Sequence, residues 1–276
     1  MRRALILDCD GVLVDAEQTG HLRAFNEMWR RLGVPWQWTA EQYAAKLAIS
    51  GGKERLASLW QDASFRAAVD VPSGEREIQT LIRTWHKLKT DLYVAMVEHG
   101  EIRVRAGVRR LAREAVESGW ALAVASSGSS RSVTAVVRHA LGDQLAAQAT
   151  IVSGDNVRSK KPAPDVYVRA ASLVGVAFSG CLVIEDNVAG LTAALRARMT
   201  CVVTPTRCPT ASDFTGAAAV LSSLGSSADG PMRVLANEAR LSLDGEFRLS
   251  AVDHLLLSPP AVASEPGRRT STAGVA

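Results

Sequence analysis

Asp8-Cys9-Asp10-Gly11-Val12-Leu13 follows directly on the apolar run Ala4-Leu5-Ile6-Leu7. A short apolar run that ends in two carboxylates one residue apart reads as a buried strand delivering acids at its carboxyl end. Strand alternation would send Asp8 and Asp10 to opposite faces if the strand continued. Gly11 is the expected break, where the backbone turns and lets both acids address one site. Two carboxylates with no basic neighbour in sequence suit a hard cation, Mg²⁺ above all. The bland alternative is a pair of turn acids without a ligand, and it is weighed by what stands at the other strand ends.

The chain has 276 residues, enough for a full core with an inserted or appended piece. No apolar run can span a bilayer, and Met1-Arg2-Arg3 leads straight into the first strand, so a cytoplasmic protein without a leader is expected. The four cysteines (Cys9, Cys181, Cys201, Cys208) show neither zinc spacing nor a disulfide framework and read as reduced thiols. The net charge of +4 is small, and no basic stretch is interleaved with aromatics, which argues against nucleic acid. A local basic site for an anionic small molecule fits the same charge. A monomer without membrane or nucleic-acid partners is expected.

From Ala16 to about Leu92 the pattern is helical. Leu22, Phe25, Trp29 and Leu32 recur at helical spacing, Gly33-Val34-Pro35 stops that helix, and Glu75 to about Glu98 is a long amphipathic helix. The aromatics here read as the core of an inserted helical block. After it the α/β rhythm is regular. Strands are expected at Trp120–Ala125, Ile151–Ser153, Cys181–Ile184 and Thr200–Val203, with helices at Val108–Ser118, Ser129–Leu141, Pro164–Val174 and Ala189–Ala197. Such alternation implies a parallel sheet covered on both faces, with its ligand at the strand carboxyl ends. Asp8, Asp10, Ser126 and Asp186 all fall at such ends, and that coincidence favours a site. Ser222–Ser227 reads as a linker, Arg240 to Leu257 as a strand and short helix, and the last ~15–20 residues as disordered for want of apolar surface.

Four landmarks, Asp8-Cys9-Asp10-Gly11, Ser126, Lys160-Lys161-Pro162 and Glu185-Asp186-Asn187, stand in the order of the haloacid dehalogenase (HAD) superfamily, which the chain resembles. The helical insert is like the cap of its β-phosphoglucomutase-like branch. The stretches AFNEMWRRLGVPWQW, GGKERL, HKLKT and KKPAPDVY look like CbbY-type phosphatases, a family associated with hydrolysis of xylulose 1,5-bisphosphate. The resemblance runs from about Leu5 to Leu221. It implies an α/β fold, a HAD-like Rossmannoid parallel sheet with an inserted all-helical cap. Residues 1–15 and 93–222 would form the core, 16–92 the cap, and 223–276 a C-terminal extension, partly disordered.

The resemblance implies Asp8 as nucleophile, forming an aspartyl-phosphate. Asp10 would be the acid and base. Mg²⁺ would sit on Asp8, Asp186 and the backbone carbonyl of Asp10, with Glu185 nearby. Ser126 and Lys161 would bind the transferring phosphoryl group. In the cap, Gly51 and Gly52 before Lys53 and Arg55 offer N–H groups and cations to an anion, and His86 and Lys89 share a helix face suited to a far phosphate. Glu17, His21, Ser127 and Arg131 complete the expected substrate contacts for a sugar phosphate.

The chain departs from the family pattern at Ala16 (usually threonine), Ala106 (usually proline), Asn187 (usually serine), Arg198 (usually glycine) and the loop Ser127–Ser130, which lacks an expected asparagine. A dehalogenase is disfavoured by Asp10. A phosphomutase with the same catalytic residues stays open, and a non-enzymatic binding module is disfavoured because Asp8, Asp10, Lys161 and Asp186 are all present.

Overall fold

The computed structural model describes residues 2–206 and 211–256. A seven-stranded sheet is built from β1 (Ala4–Leu7), β2 (Ala121–Ala125), β3 (Ala149–Val152), β4 (Cys181–Glu185), β5 (Thr200–Val203), β6 (Ala219–Leu221) and β7 (Val234–Ala236), in the order β3-β2-β1-β4-β5-β6-β7. All neighbours are parallel except β6 and β7. Strand order reverses at β1, with β2 on one side and β4 on the other, so the crevice at a switch point opens beyond Leu7, Ala125 and Glu185. β1 and β4 are buried at every position, as a strand covered on both faces requires.

Between β1 and β2 lie α1 (Arg23–Leu32), α2 (Ala40–Lys46), α3 (Gly52–Ala57), α4 (Ala63–Ala68), α5 (Glu75–Glu98) and α6 (Val108–Glu117). The first five form the helical insert. Phe25, Trp29, Trp38, Phe65 and Trp85 are buried there in edge-to-face contacts at 4.8–6.4 Å, so the aromatics are packing rather than a ligand box. Leu32, expected on the apolar stripe of α1, is exposed, and Met28 and Ala24 pack in its stead. α5 runs unbroken past Leu92 to Glu98. A π-helical turn over Glu17–Leu22 precedes α1, with the N–H of Gly20 and His21 both bonded to Ala16 O. Gly20 suits it because a Cβ there would lie 2.7 Å from the Tyr93 ring.

The helices α7 (Ser130–Leu141), α8 (Asp143–Ala146), α9 (Asp165–Val174) and α10 (Val188–Arg196) complete the alternation. Ser129 and Asn187 cap α7 and α10 through their side chains. Arg198, in the place where a glycine is usual, has φ +57°.

The chain after β6 differs from the sequence expectation. Ser222–Ser227 is no free linker: Leu224 is buried, and its carbonyl accepts from Phe247 N at 2.9 Å and Arg110 Nη2 at 3.0 Å. The strand lies at β7, ahead of Arg240, followed by a 3₁₀ turn over Leu249–Val252 that packs near α6. Met232, Leu241, Phe247 and Val252 are buried against the core, which apolar spacing in a glycine- and serine-rich stretch concealed. The expected disorder of the final segment, and Cys208, lie outside the described residues. Among the described residues no helix is long and apolar enough to cross a membrane.

Candidate active site

β1 ends at Leu7 and places Asp8 at the sheet's carboxyl edge, where Asp8 N bonds Ile184 O at 3.0 Å. Gly11 then takes φ +89°, and a Cβ there would stand 2.1 Å from Asp186 Oδ2. Only a glycine lets this turn lie against the acid at the end of β4. Arg105 clamps the same turn: its Nη1 donates to Gly11 O and, at 2.7 Å, to Thr204 O.

The carboxylates of Asp8, Glu185 and Asp186 are buried, with one oxygen of each within 4.8 Å of the others. Burial pushes the Asp8 carboxyl well above its ordinary range, against the pull of Lys161 and with the push of Glu185 and Asp186. Burial, Glu185 and Glu17 raise Asp186 to about 7. Acids crowded together at the cost of their own charge fit a hard divalent cation. Asn187 Nδ2 and Thr206 Oγ1 donate to Asp186 at 2.6 and 3.1 Å and orient it. Asn187 can cap α10 with its oxygen while its amide holds Asp186, two tasks a serine at that place divides less well.

Lys161 Nζ donates to Asp8 Oδ1 at 2.5 Å, Glu185 Oε1 at 2.6 Å and Ala125 O at 3.0 Å. Burial disfavours its charge, yet Asp8 and Glu185 outweigh that and hold the ammonium above its ordinary range. Ser126, at the end of β2, accepts Gly128 N on its Oγ at 3.0 Å, which leaves its hydroxyl proton free to donate.

Asp10 is held from the cap. Tyr93 OH donates to Oδ1 at 3.0 Å, and His21 Nε2 lies 3.0 Å from Oδ2. Burial alone would raise its pKa, but His21, Lys89 and Tyr93 together bring it down to about 2. Behind His21, Lys89 Nζ meets Nδ1 at 2.8 Å, and burial lowers Lys89 to about 8.

A cleft of about 110 Å³ separates cap and core. Its walls bring together Asp8, Asp10, Ser126, Ser127 and Lys161 from the core with Glu17, His21, Gly51, Gly52, Lys53, Arg55, His86 and Lys89 from the insert. Glu185 and Asp186 do not line it and are fully or almost fully buried. Glu17 is fixed by Tyr43 OH at 2.8 Å and Arg55 Nη1 at 3.3 Å. Burial, then Lys89, Lys53 and Lys160, lower His86 to about 3, so it offers a neutral hydrogen bond. Arg131 is not in the cleft wall: on the outer side of α7 it pairs with Asp91 of α5. Tyr93, Arg105 and Thr206 had no place in the expected site, and Lys160 and Tyr167 stood in the quoted motifs without a role of their own. Lys160 lines the cleft and ties core to cap through Glu54 at 2.5 Å.

A buried carboxylate beside a fixed ammonium, a hydroxyl donor, an acid cluster and a second carboxylate held from above meet at the carboxyl edge of the sheet. The chain matches the family model of haloacid dehalogenase-like hydrolases over residues 2–198 and belongs to that family. It is 37% identical over 222 residues to the CBBY-like protein of Arabidopsis thaliana, covering 80% of this chain and 69% of that one. It is 38% identical over 230 residues to the plasmid-encoded protein CbbY of Cupriavidus necator, covering 82% and 87%. A crystal structure of a CbbY mutant from Rhodobacter sphaeroides in complex with xylulose 1,5-bisphosphate matches at 35% identity and a TM-score of 0.72, covering 83% of this chain and 98% of that one. The chain is an enzyme, a phosphatase of this family.

Proposed function

We propose that the protein is a Mg²⁺-dependent phosphatase of a pentulose bisphosphate, xylulose 1,5-bisphosphate, acting through an aspartyl-phosphate on Asp8. The observation that carries this reading is a single cleft with two cationic poles: Lys161 beside Asp8 in the core, and Lys53, Arg55 and Lys89 in the cap. A substrate with a phosphate at each end matches both. The similarity to a CbbY whose structure holds that bisphosphate supports the same choice.

Asp8 attacks phosphorus, and the leaving sugar oxygen takes a proton from Asp10. In the free site Asp10 is an anion, the form that takes a proton from the attacking water in the second step. To act first as an acid it must gain a proton, which the negative phosphate arriving beside it favours. Lys161 and Ser126 hold the phosphoryl oxygens in place. Mg²⁺ held by Asp8, Asp186 and the backbone carbonyl of Asp10, with Glu185 nearby, would supply the charge neutralisation that lets a carboxylate approach a phosphate. Glu17, fixed by Tyr43 and Arg55, is placed to meet sugar hydroxyls.

The test is phosphate release with Mg²⁺ from xylulose 1,5-bisphosphate, ribulose 1,5-bisphosphate, β-glucose 1-phosphate and phosphoglycolate. Preference for the first supports the reading. A preference for a monophosphate removes the pentulose bisphosphate assignment and keeps the phosphatase.

A further inference from the structure

Tyr167 lies on α9, fully buried, and its hydroxyl donates to Oε1 of Glu185. The same oxygen accepts from Lys161 Nζ at 2.6 Å, and that ammonium stands 4.8 Å from the centre of the Tyr167 ring. The other oxygen, Oε2, accepts the N–H of Asp186 at 3.1 Å. Glu185 is therefore gripped by three donors of its own chain. Its carboxyl also packs directly on the backbone of Gly190, where a Cβ would lie 1.9 Å from its carboxyl carbon.

The consequence falls on Lys161. A lysine ammonium has three donor protons on a flexible stem, and here they go to Asp8, Glu185 and Ala125 O. Two carboxylates thus compete for one cation. A phenol that shares Oε1 draws off part of the negative charge Glu185 presents to Lys161, and fixes the direction from which Glu185 pulls. We propose that Tyr167 is a positioning residue, whose hydroxyl holds Glu185 so that Lys161 is aimed at Asp8 and the transferring phosphoryl group rather than drawn toward Glu185. Tyr167 does not touch substrate; it acts through Glu185 and Lys161. The kinetic readout rests on the proposed phosphatase reaction at Asp8, whereas the binding readout does not.

Tyr167→Phe removes one oxygen and keeps the ring. The full-length wild type, Tyr167→Phe, Lys161→Met and the double variant are compared in two measurements. One is phosphate release from xylulose 1,5-bisphosphate with Mg²⁺; the other is calorimetric binding of inorganic phosphate with Mg²⁺. Tyr167→Phe is expected to lower kcat about tenfold with KM changed less than about twofold, and to weaken phosphate binding about fivefold. In the Lys161→Met background the same substitution changes neither quantity, because the group it positions is gone. Equal losses in both backgrounds, no loss in either, or a Tyr167→Phe chain that does not fold would each overturn the assignment. If the wild type does not hydrolyse this bisphosphate, the phosphate-binding cycle decides alone, so failure of the substrate reading and failure of the positioning role are told apart.

Discussion

Tyr93, on the long helix of the cap, donates its hydroxyl to Oδ1 of Asp10 in the core across 3.0 Å. With His21 on the other oxygen, the Asp10 carboxylate, the proposed acid, is oriented by residues from the insert. Cap and core are thus coupled at Asp10 itself. Lys160 and Glu54 add a second tie at the mouth of the cleft, at 2.5 Å and partly exposed.

Removing the Tyr93 hydroxyl should weaken Asp10's hold on its negative charge. Burial raises Asp10, and His21, Lys89 and Tyr93 bring it to about 2, below its ordinary 3.8. A carboxyl lowered on folding contributes stability that is present above its unfolded pKa and lost as pH falls through the folded one. Acid unfolding should therefore draw on Asp10 between about 4 and about 2 in the wild type, and Tyr93→Phe should narrow that window. Its kcat should fall several-fold while circular dichroism at neutral pH stays unchanged.

Lys89 predicts an alkaline limit on binding. Burial lowers it from 10.5 to about 8, so its cation is lost as pH rises through about 8. KM for a bisphosphate should climb across that range, and more steeply than KM for a monophosphate. The sign for stability is opposite. An unfolded chain binds this proton up to about 10.5 while the folded one has released it, so the Lys89 contribution to stability rises between about 8 and about 10.5. Lys53→Ala should raise the same bisphosphate KM at neutral pH; equal effects on mono- and bisphosphate would remove the far-phosphate role.

Gly11→Ala tests the turn after β1 that packs against Asp186 at the end of β4. Its φ of +89° and the 2.1 Å approach of Asp186 leave no place for a methyl group. The left-handed backbone alone costs roughly 1–2 kcal/mol. A displaced Asp186 should lower kcat on the order of 10²-fold, because misplacement by about 1 Å carries that penalty. Thermal unfolding and steady-state rates measure the two effects separately.

Arg198 carries the same kind of backbone with no such reward. At φ +57° it follows α10 in a place where the family usually has glycine. Arg198→Gly should raise stability by up to about 1 kcal/mol, relief of strain partly offset by the freer unfolded chain. The melting temperature should rise by about 1–3 °C with kcat unchanged.

The parts of the fold that follow from local pattern were legible in the sequence. Asp8, Ser126 and Asp186 each close a strand run whose apolar length and terminal acid or hydroxyl are readable without neighbours. β6 and β7 were not legible, since Ala219–Leu221 and Val234–Ala236 are three-residue strands and the second is largely exposed. Tyr93 and Tyr167 were hidden for another reason. Their rings follow the packing pattern of their helices, and only the tertiary fold brings their hydroxyls to Asp10 and Glu185, 83 and 18 residues away. Arg131 misled by proximity in sequence, because at the second position of α7 it already turns away from the loop at Ser126 to Asp91 outside the cleft. The neutrality of His86 was not legible either, because it comes from burial among lysines that the fold brings together.

The most direct test is phosphate release from xylulose 1,5-bisphosphate with Mg²⁺ by wild type and Asp8→Asn, a substitution that keeps shape and removes the attacking charge. The wild type should turn over and the variant should lose at least about 10³-fold, the scale on which an absent nucleophile is felt. Asp8→Asn turning over at the wild-type rate would contradict it.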